Sequence, residues 1–423
     1  MARSLLNTPS MKRELTILLA LTALLVGCGE LEQEPEPEVD PGDTLAWMEA
    51  YQDRYLGDRA WRRTQLEATL WSPDLPYARK RLKSYALSEG GWDLLPELLA
   101  RSGPVFPEQA VPQELEEALP TVFPTKAPTT REQWLALGKQ VFWQMPMRRD
   151  NYLEWIATRP ELLEETGFER NADGSLRGLV RFKDVRGQMR VGVTCGLCHG
   201  GGGVAGRTNT ALDLGRARQL FNDSHGIDGS RFASWGPGRV DITDDPADDP
   251  LRVPDLWGTR HQSYLNASGI VRVVNPASVA IRFETQYIPG HGLEARPNRV
   301  LSWALAMYVL SLEPPTSPAV APEHPGRAVF EQQCASCHNP ERGFSGDLIP
   351  SWLLSGGVSA AESPMRGTGM MKVPSLVGIG QGGPFMHDGR HAELRDVLEA
   401  RHPTGAVLSA EERDDLLSYL QSL

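Results

Sequence analysis

Cysteine is scarce in this chain, five among 423 residues, and histidine occurs only nine times. A disulfide scaffold or a histidine-rich metal tract is thereby excluded as the organising device. Basic charge is also in deficit. Lys and Arg total 43 against 54 Asp and Glu, a net charge of −11. Phosphate backbones require a cationic stripe, so no nucleic-acid partner is expected. After Val26 no apolar run approaches the length of a membrane span. What remains, 40% hydrophobic and 23% charged residues, is ordinary for a globular chain long enough for about two or three cores.

The few cysteines are placed with unusual regularity: Cys28 alone, then Cys195 with Cys198, then Cys334 with Cys337. Around Cys28, Lys12 and Arg13 precede an apolar stretch from Leu15 to Val26, the layout of an export signal too short to span a bilayer. Leu25-Val26-Gly27-Cys28 resembles a bacterial lipobox, cut before a cysteine whose sulfur is then lipidated, and Met11 fits the start of such a signal better than Met1. Residues 1–28 are therefore expected to be a lipoprotein signal peptide, with Cys28 the lipid attachment site. Residues 29–43 alternate acid and proline, cannot bury apolar surface, and form an extended tether. The expected location is the periplasmic side of a bacterial membrane, the outer one, with the folded body lipid-anchored.

Residues 44–130 read as a helical N-terminal extension, with apolar residues three and four apart, ending in the proline-rich linker 120–130. The rest repeats itself. LALGKQVFWQ (135–144) matches PGRAVFEQQ (325–333), RVPDLWG (252–258) matches KVPSLVG (372–378), and each copy closes on an apolar helix. In those helices Leu305, Tyr308, Ser311 and Leu312 fall on Leu416, Tyr419, Ser422 and Leu423. Two copies follow, residues 131–313 with an insertion of about fifty residues before its cysteines and residues 314–423 without one.

Each copy carries CxxCH: CGLCH at 195–199 and CASCH at 334–338. Cysteines at i and i+3 share one face of a helical turn. Two sulfurs so placed reach the two vinyl groups on one edge of a haem and form thioethers, and the following histidine turns its imidazole to the iron. Cys195, Cys198, Cys334 and Cys337 are thus expected to bind two covalent haem c groups, with His199 and His338 the proximal iron ligands. A four-cysteine zinc site built from both pairs would leave both histidines unexplained. The glycines at 200–203 are expected to let backbone pass close to the porphyrin.

On CASCH (334–338), KVPSLVG (372–378), PFMHDGR (384–390) and LRDVLEAR (394–401), the chain resembles the c-type cytochromes, and among them the bacterial dihaem cytochrome c peroxidase superfamily with its related dihaem oxidases. The resemblance covers about residues 131–423 and implies an all-α fold of two tandem cytochrome c-like haem domains, here preceded by a small α-helical extension. In the resembled peroxidases a Met past the HDG motif ligates the second haem, and some relatives have Tyr. This chain has Ala400-Arg401-His402 in that neighbourhood. His402 stands 21 residues before Leu423, and His291 stands 21 before Leu312. His291 and His402 are accordingly the candidate distal iron ligands, with Met386, Met370, Met371, His261 and His225 as rivals, and His387 near the haem rather than on the iron.

Weaker features complete the survey. The resemblance implies calcium between the domains, for which DITDDPADDP (241–250) is the candidate loop, although a solvated acidic loop explains it better. Trp235, Trp257 and Trp352 are candidate electron relays that also suit packing, and Arg239, Arg252 and Lys372 are candidate partners of haem propionates. The function expected first is one-electron transfer with a redox protein donor or acceptor. The alternatives are a dihaem peroxidase-like oxidoreductase that reduces peroxide or oxidises a substrate, and a haem-based sensor or docking module.

Overall fold

Helices begin where the sequence supplies caps. In the computed structural model, which describes residues 42–85, 95–98, 101–107, 119–243, 245–315, 323–354, 358–400, 402 and 407–423, the Asp43 carboxylate accepts from the Ala46 N–H to open α1 (Thr44–Gly57). Asp58 opens α2 (Arg59–Ala68) in the same way, and α3 (Pro76–Ser84) starts on a proline, where the absent N–H has no partner to lose. The expected signal, Cys28 and the tether up to residue 41 lie outside the described residues. Among the described residues no helix is long and apolar enough to cross a membrane.

The extension is continuous with the first copy. Met48, Tyr51, Tyr55 and Leu66 share one core with Trp134, Val141, Trp303 and Met307 of α4 (Arg131–Gln144) and of a later helix, Arg299–Leu310. The Tyr55 hydroxyl donates to the fully buried Glu284, which lies 3.3 Å from Arg299, and Arg81 reaches Thr285.

Strands correct the all-α expectation. The insertion between Gln144 and Cys195 holds β3 (Arg148–Arg149), the short α5 (Asn151–Ile156) and an antiparallel hairpin of β4 (Leu179–Lys183) and β5 (Met189–Val193). Asp184 accepts from the N–H groups of Arg186 and Gln188 and closes that hairpin. β1 (Arg101–Pro104) and β2 (Thr121–Val122), from segments expected to be helix and linker, extend it into a five-stranded antiparallel sheet ordered β2-β1-β4-β5-β3.

Around this sheet the repeat is visible in three dimensions. The first copy continues with α6 (Cys195–His199), α7 (Leu214–Ser224), strands β6 (Arg239–Val240), β7 (Leu251–Arg252), β8 (Tyr264–Leu265) and β9 (Val271–Arg272), then α8 (Ala277–Gly290) and α9 (Arg299–Leu310). The second has α10 (Pro325–Gln333), β10 (Leu348–Pro350), β11 (Met370–Lys372), α11 (Leu394–Glu399) and α12 (Ala410–Leu420). In each copy the first helix crosses the last at a glycine. A Cβ on Gly138 would fall 2.1 Å from the Ala304 carbonyl oxygen and 2.5 Å from Tyr308 Cβ; one on Gly326 would fall 2.0 Å from the Asp415 oxygen and 2.8 Å from Tyr419 Cβ. The pairing of Tyr308 with Tyr419 is the one their sequence register predicts.

The two matching phrases also pack on each other. Gly258 abuts Ser375 and Val377 while Gly378 abuts Trp257 and Pro314, a reciprocal contact between corresponding residues. The ladder Leu265–Val271 recurs as the bridge Phe385–His391, and Asn266 (φ 65°) and Met386 (φ 70°) hold the same left-handed turn.

Candidate functional site

The first CxxCH is a five-residue helix, α6, clamped on both sides. A Cβ on Gly196 would lie 2.4 Å from the Trp143 ring, and one on Gly200 would lie 2.5 Å from it. Gly201 abuts the Thr208 carbonyl in turn. At Gly200 and Gly201 the absent side chains thus make room for Trp143 and Thr208, whereas Gly202 and Gly203 have no protein atom closer than 3.6 Å to a would-be Cβ. Trp143 was missed in the sequence, although it stands where the second copy carries the acidic Glu331.

Both CxxCH histidines are oriented through Nδ1. His199 Nδ1 lies 3.0 Å from the Pro254 carbonyl oxygen, and His338 Nδ1 lies 3.0 Å from that of Phe344, with the Pro374 carbonyl also reaching the ring. Pro254 and Pro374 are the same position of the repeated VP phrase. A carbonyl can only accept, so Nδ1 carries the hydrogen and Nε2 keeps its lone pair. Burial holds both imidazoles below their ordinary range, which keeps them neutral. A neutral imidazole with Nδ1 tied to a carbonyl is the ligand form that iron requires.

The sulfurs fit the same group. Cys195, Cys198, Cys334 and Cys337 form no disulfide, and burial pushes Cys195 up to about 12 and Cys198 and Cys334 to about 11. That environment favours uncharged sulfur, as a thioether is. Among the described residues no three His, Cys, Asp or Glu side chains converge on a metal-sized space, so the two CxxC pairs do not form one zinc site.

His402 stands at the second centre. Burial first, and then the charges of His338, His391, Arg390 and His387, push it down to about 4, so it shares its surroundings with the proximal His338. His291 is placed otherwise. It caps the end of α8, 3% exposed, stacked 4.1 Å from Tyr287 and edge-on to Phe182, and its Nε2 lies 2.9 Å from the Pro146 carbonyl oxygen. That bond occupies Nε2 and gives His291 surroundings different from those of His402. The charges of Asp255 and Arg252 act on His199.

The rival residues are dispersed. His225 is exposed beside Phe221, and His261 accepts from Arg260 against Gly343. Met386 takes the left-handed turn at the edge of the second core, Met371 is buried in β11, and Met370 pairs with Pro350. His387 lies 3.9 Å from Asp388, with a buried Nδ1 that has no hydrogen-bond partner. Trp235 and Trp257 are buried and Trp257 donates to the Ala205 carbonyl, whereas Trp352 is 74% exposed. Arg239 lies 3.4 Å from the Asp388 carbonyl oxygen, and Arg252 is paired with Asp255 at 2.7 Å. Lys372, by contrast, is pushed down to about 8 by burial and donates to the neutral Gln262, so an anion such as a propionate would offset its desolvation. In the acidic loop Asp241 accepts from Thr243, while Asp245 and Asp249 accept from Ser363 and Ser359, so these carboxylates dock the loop on the second copy.

No family model matches the chain, and no curated protein does. Among solved structures it is similar to a chain of the hydrazine synthase of Kuenenia stuttgartiensis (17% identity, 74% of this chain and 99% of that one, TM-score 0.37). It is similar also to a diheme peroxidase of Burkholderia thailandensis (17% identity, 79% and 93%, TM-score 0.34). A third is a MauG-like protein associated with microbial copper homeostasis (14% identity, 71% and 91%, TM-score 0.27). At that level of likeness a functional assignment rests on the chain's own residues.

Proposed function

We propose that this chain is an exported, lipid-anchored oxidoreductase holding two covalent haems whose sixth positions differ. Cys195 and Cys198, and again Cys334 and Cys337, tether the groups, while the Nδ1 bonds of His199 and His338 fix the imidazoles that face the irons. When bound, haem iron supplies one-electron exchange. His402 fills the distal side of the second centre, and a His/His pair suits an electron relay. At the first centre His291 is held by the Pro146 carbonyl instead, which would leave a position for a small substrate such as peroxide, with electrons arriving from a redox partner protein.

The observation that carries this reading is the hydrogen bond from His291 Nε2 to the Pro146 carbonyl, which occupies the first candidate for the distal position at that centre. Electron paramagnetic resonance of the ferric protein should show one high-spin and one low-spin haem, and carbon monoxide should bind only one of the two after reduction. His402→Ala should turn the low-spin signal high-spin. Two low-spin signals and no carbon monoxide binding would return the protein to the simple electron-carrier reading.

A further inference from the structure

The insertion that separates α4 from the first CxxCH builds something the second copy lacks. There, Gln333 runs directly into Cys334. In the first copy β3, α5, α7 and the end of α8 enclose a pocket of ≈ 540 Å³ whose walls carry Arg148, Arg149, Arg190 and Arg218. No residue of either CxxCH motif lines it, although Tyr152 and Cys198 pack against the same core.

Its charges do not balance. Arg148 is paired with Asp150, Arg149 with Asp184 at 3.2 Å and Glu294 at 3.3 Å, Arg186 with Glu294, and Arg190 with Glu154 through bonds of 2.7 and 2.9 Å. These pairs set four guanidiniums against four carboxylates. Arg218 is the fifth cation, and no acid among the described residues pairs with it. Its guanidinium lies over rings instead, 5.5 Å from Tyr152, 4.9 Å from Phe232 and 5.5 Å from Trp235. Ring quadrupoles hold a cation in place without neutralising it. In a chain of net charge −11, a pocket with one uncompensated guanidinium is a local reversal of sign.

The wall is also partly apolar, since Tyr152 and Phe221 line it beside the arginines. A planar guanidinium is matched to a carboxylate, and a pocket of this size with apolar walls takes a small organic molecule. We propose that this pocket binds a small organic carboxylate, its charge accepted by Arg218 and its apolar body lying against Tyr152 and Phe221.

Calorimetry on the full chain with benzoate, benzamide and inorganic phosphate tests this. Benzoate should bind one per chain, with benzamide and phosphate each at least about ten-fold weaker. Arg218→Gln should weaken benzoate by about ten-fold or more, and Arg218→Lys by less. Because Arg218 packs on three rings, the comparison of benzoate with its neutral isostere on the unaltered protein stands even if the variants fail to fold. Absence of benzoate binding, equal affinity for benzamide, equal affinity for phosphate, or a folded Arg218→Gln variant with unchanged affinity would each overturn the proposal. The heat signal needs no haem band, so colourless protein that binds benzoate would defeat the two-haem reading and leave this one standing.

Discussion

His291 decides between two accounts of the first centre, and its pH response separates them. Burial pushes it down to about 4, from an ordinary value near 6.5, while its Nε2–H donates to Pro146. A histidine whose folded value is depressed is neutral in the native state and gains a proton on unfolding. Its contribution is therefore complete above about pH 6.5 and is lost as pH falls toward 4. For those two values, linkage gives a loss of about 2 kcal/mol between pH 7 and pH 4.5. The assay is urea unfolding of wild type and His291→Gln at both pH values, following backbone circular dichroism. The variant removes the titration, so its stability should fall by about 2 kcal/mol less than that of wild type over that interval. At pH 7 the variant should be destabilised by about 1 kcal/mol if the glutamine amide recovers the bond to Pro146, and more if it does not. The haem absorption bands should not move. A shift from low to high spin in His291→Gln, or an unchanged pH response, would refute the placement of His291 in the core.

The other expectations follow from single contacts. Gly138→Ala and Gly326→Ala should each cost about 1–3 kcal/mol, since a Cβ at either place meets a backbone carbonyl near 2 Å; a neutral outcome by thermal unfolding would mean the crossings are loose. Glu284→Ala should cost about 3–5 kcal/mol, because it strips the partner from the buried Tyr55 hydroxyl and the charge from beside Arg299. Limited proteolysis should then cleave the extension early, and an unchanged cleavage pattern would mean that Glu284 does not anchor it.

Much of the second centre was legible because its chemistry is contiguous. CASCH supplies both sulfurs and the imidazole within five residues, and the VP phrase supplies a carbonyl for its Nδ1. The helix register also survived, since Tyr308 and Tyr419 must each meet a glycine at the crossing. The sheet was not legible. β1 is paired through residues some twenty apart on one side and almost eighty on the other, and neither LVRFK nor RSGP shows a clean alternation of apolar and polar residues. The ion-pair network around Arg149, Asp184 and Glu294 was hidden for the same reason: its members lie up to 145 residues apart.

The misplacement of His291 has a geometric cause. Counting back from the chain end sets Leu312 on Leu423, an offset of 111, and makes the two histidines coincide. The strand ladder sets Val271 on His391, an offset of 120. Nine residues must therefore enter the first copy between these two anchors, and the helix accounts for eight of them, since α8 has 14 residues and α11 has 6. Eight residues of helix are about 12 Å of rise, enough to carry a terminal histidine well past a site one turn wide. Counted from the ladder, the residue in step with His402 is Arg282, which cannot ligate iron as a neutral base. The same lengthening brings the end of α8 against β3, where Gly290 abuts Met147 and His291 meets Pro146, and it closes one side of the arginine pocket. The longer helix thus carries His291 to the Pro146 carbonyl and supplies a wall to the pocket, so one difference between the copies, beside the inserted segment, has two local consequences.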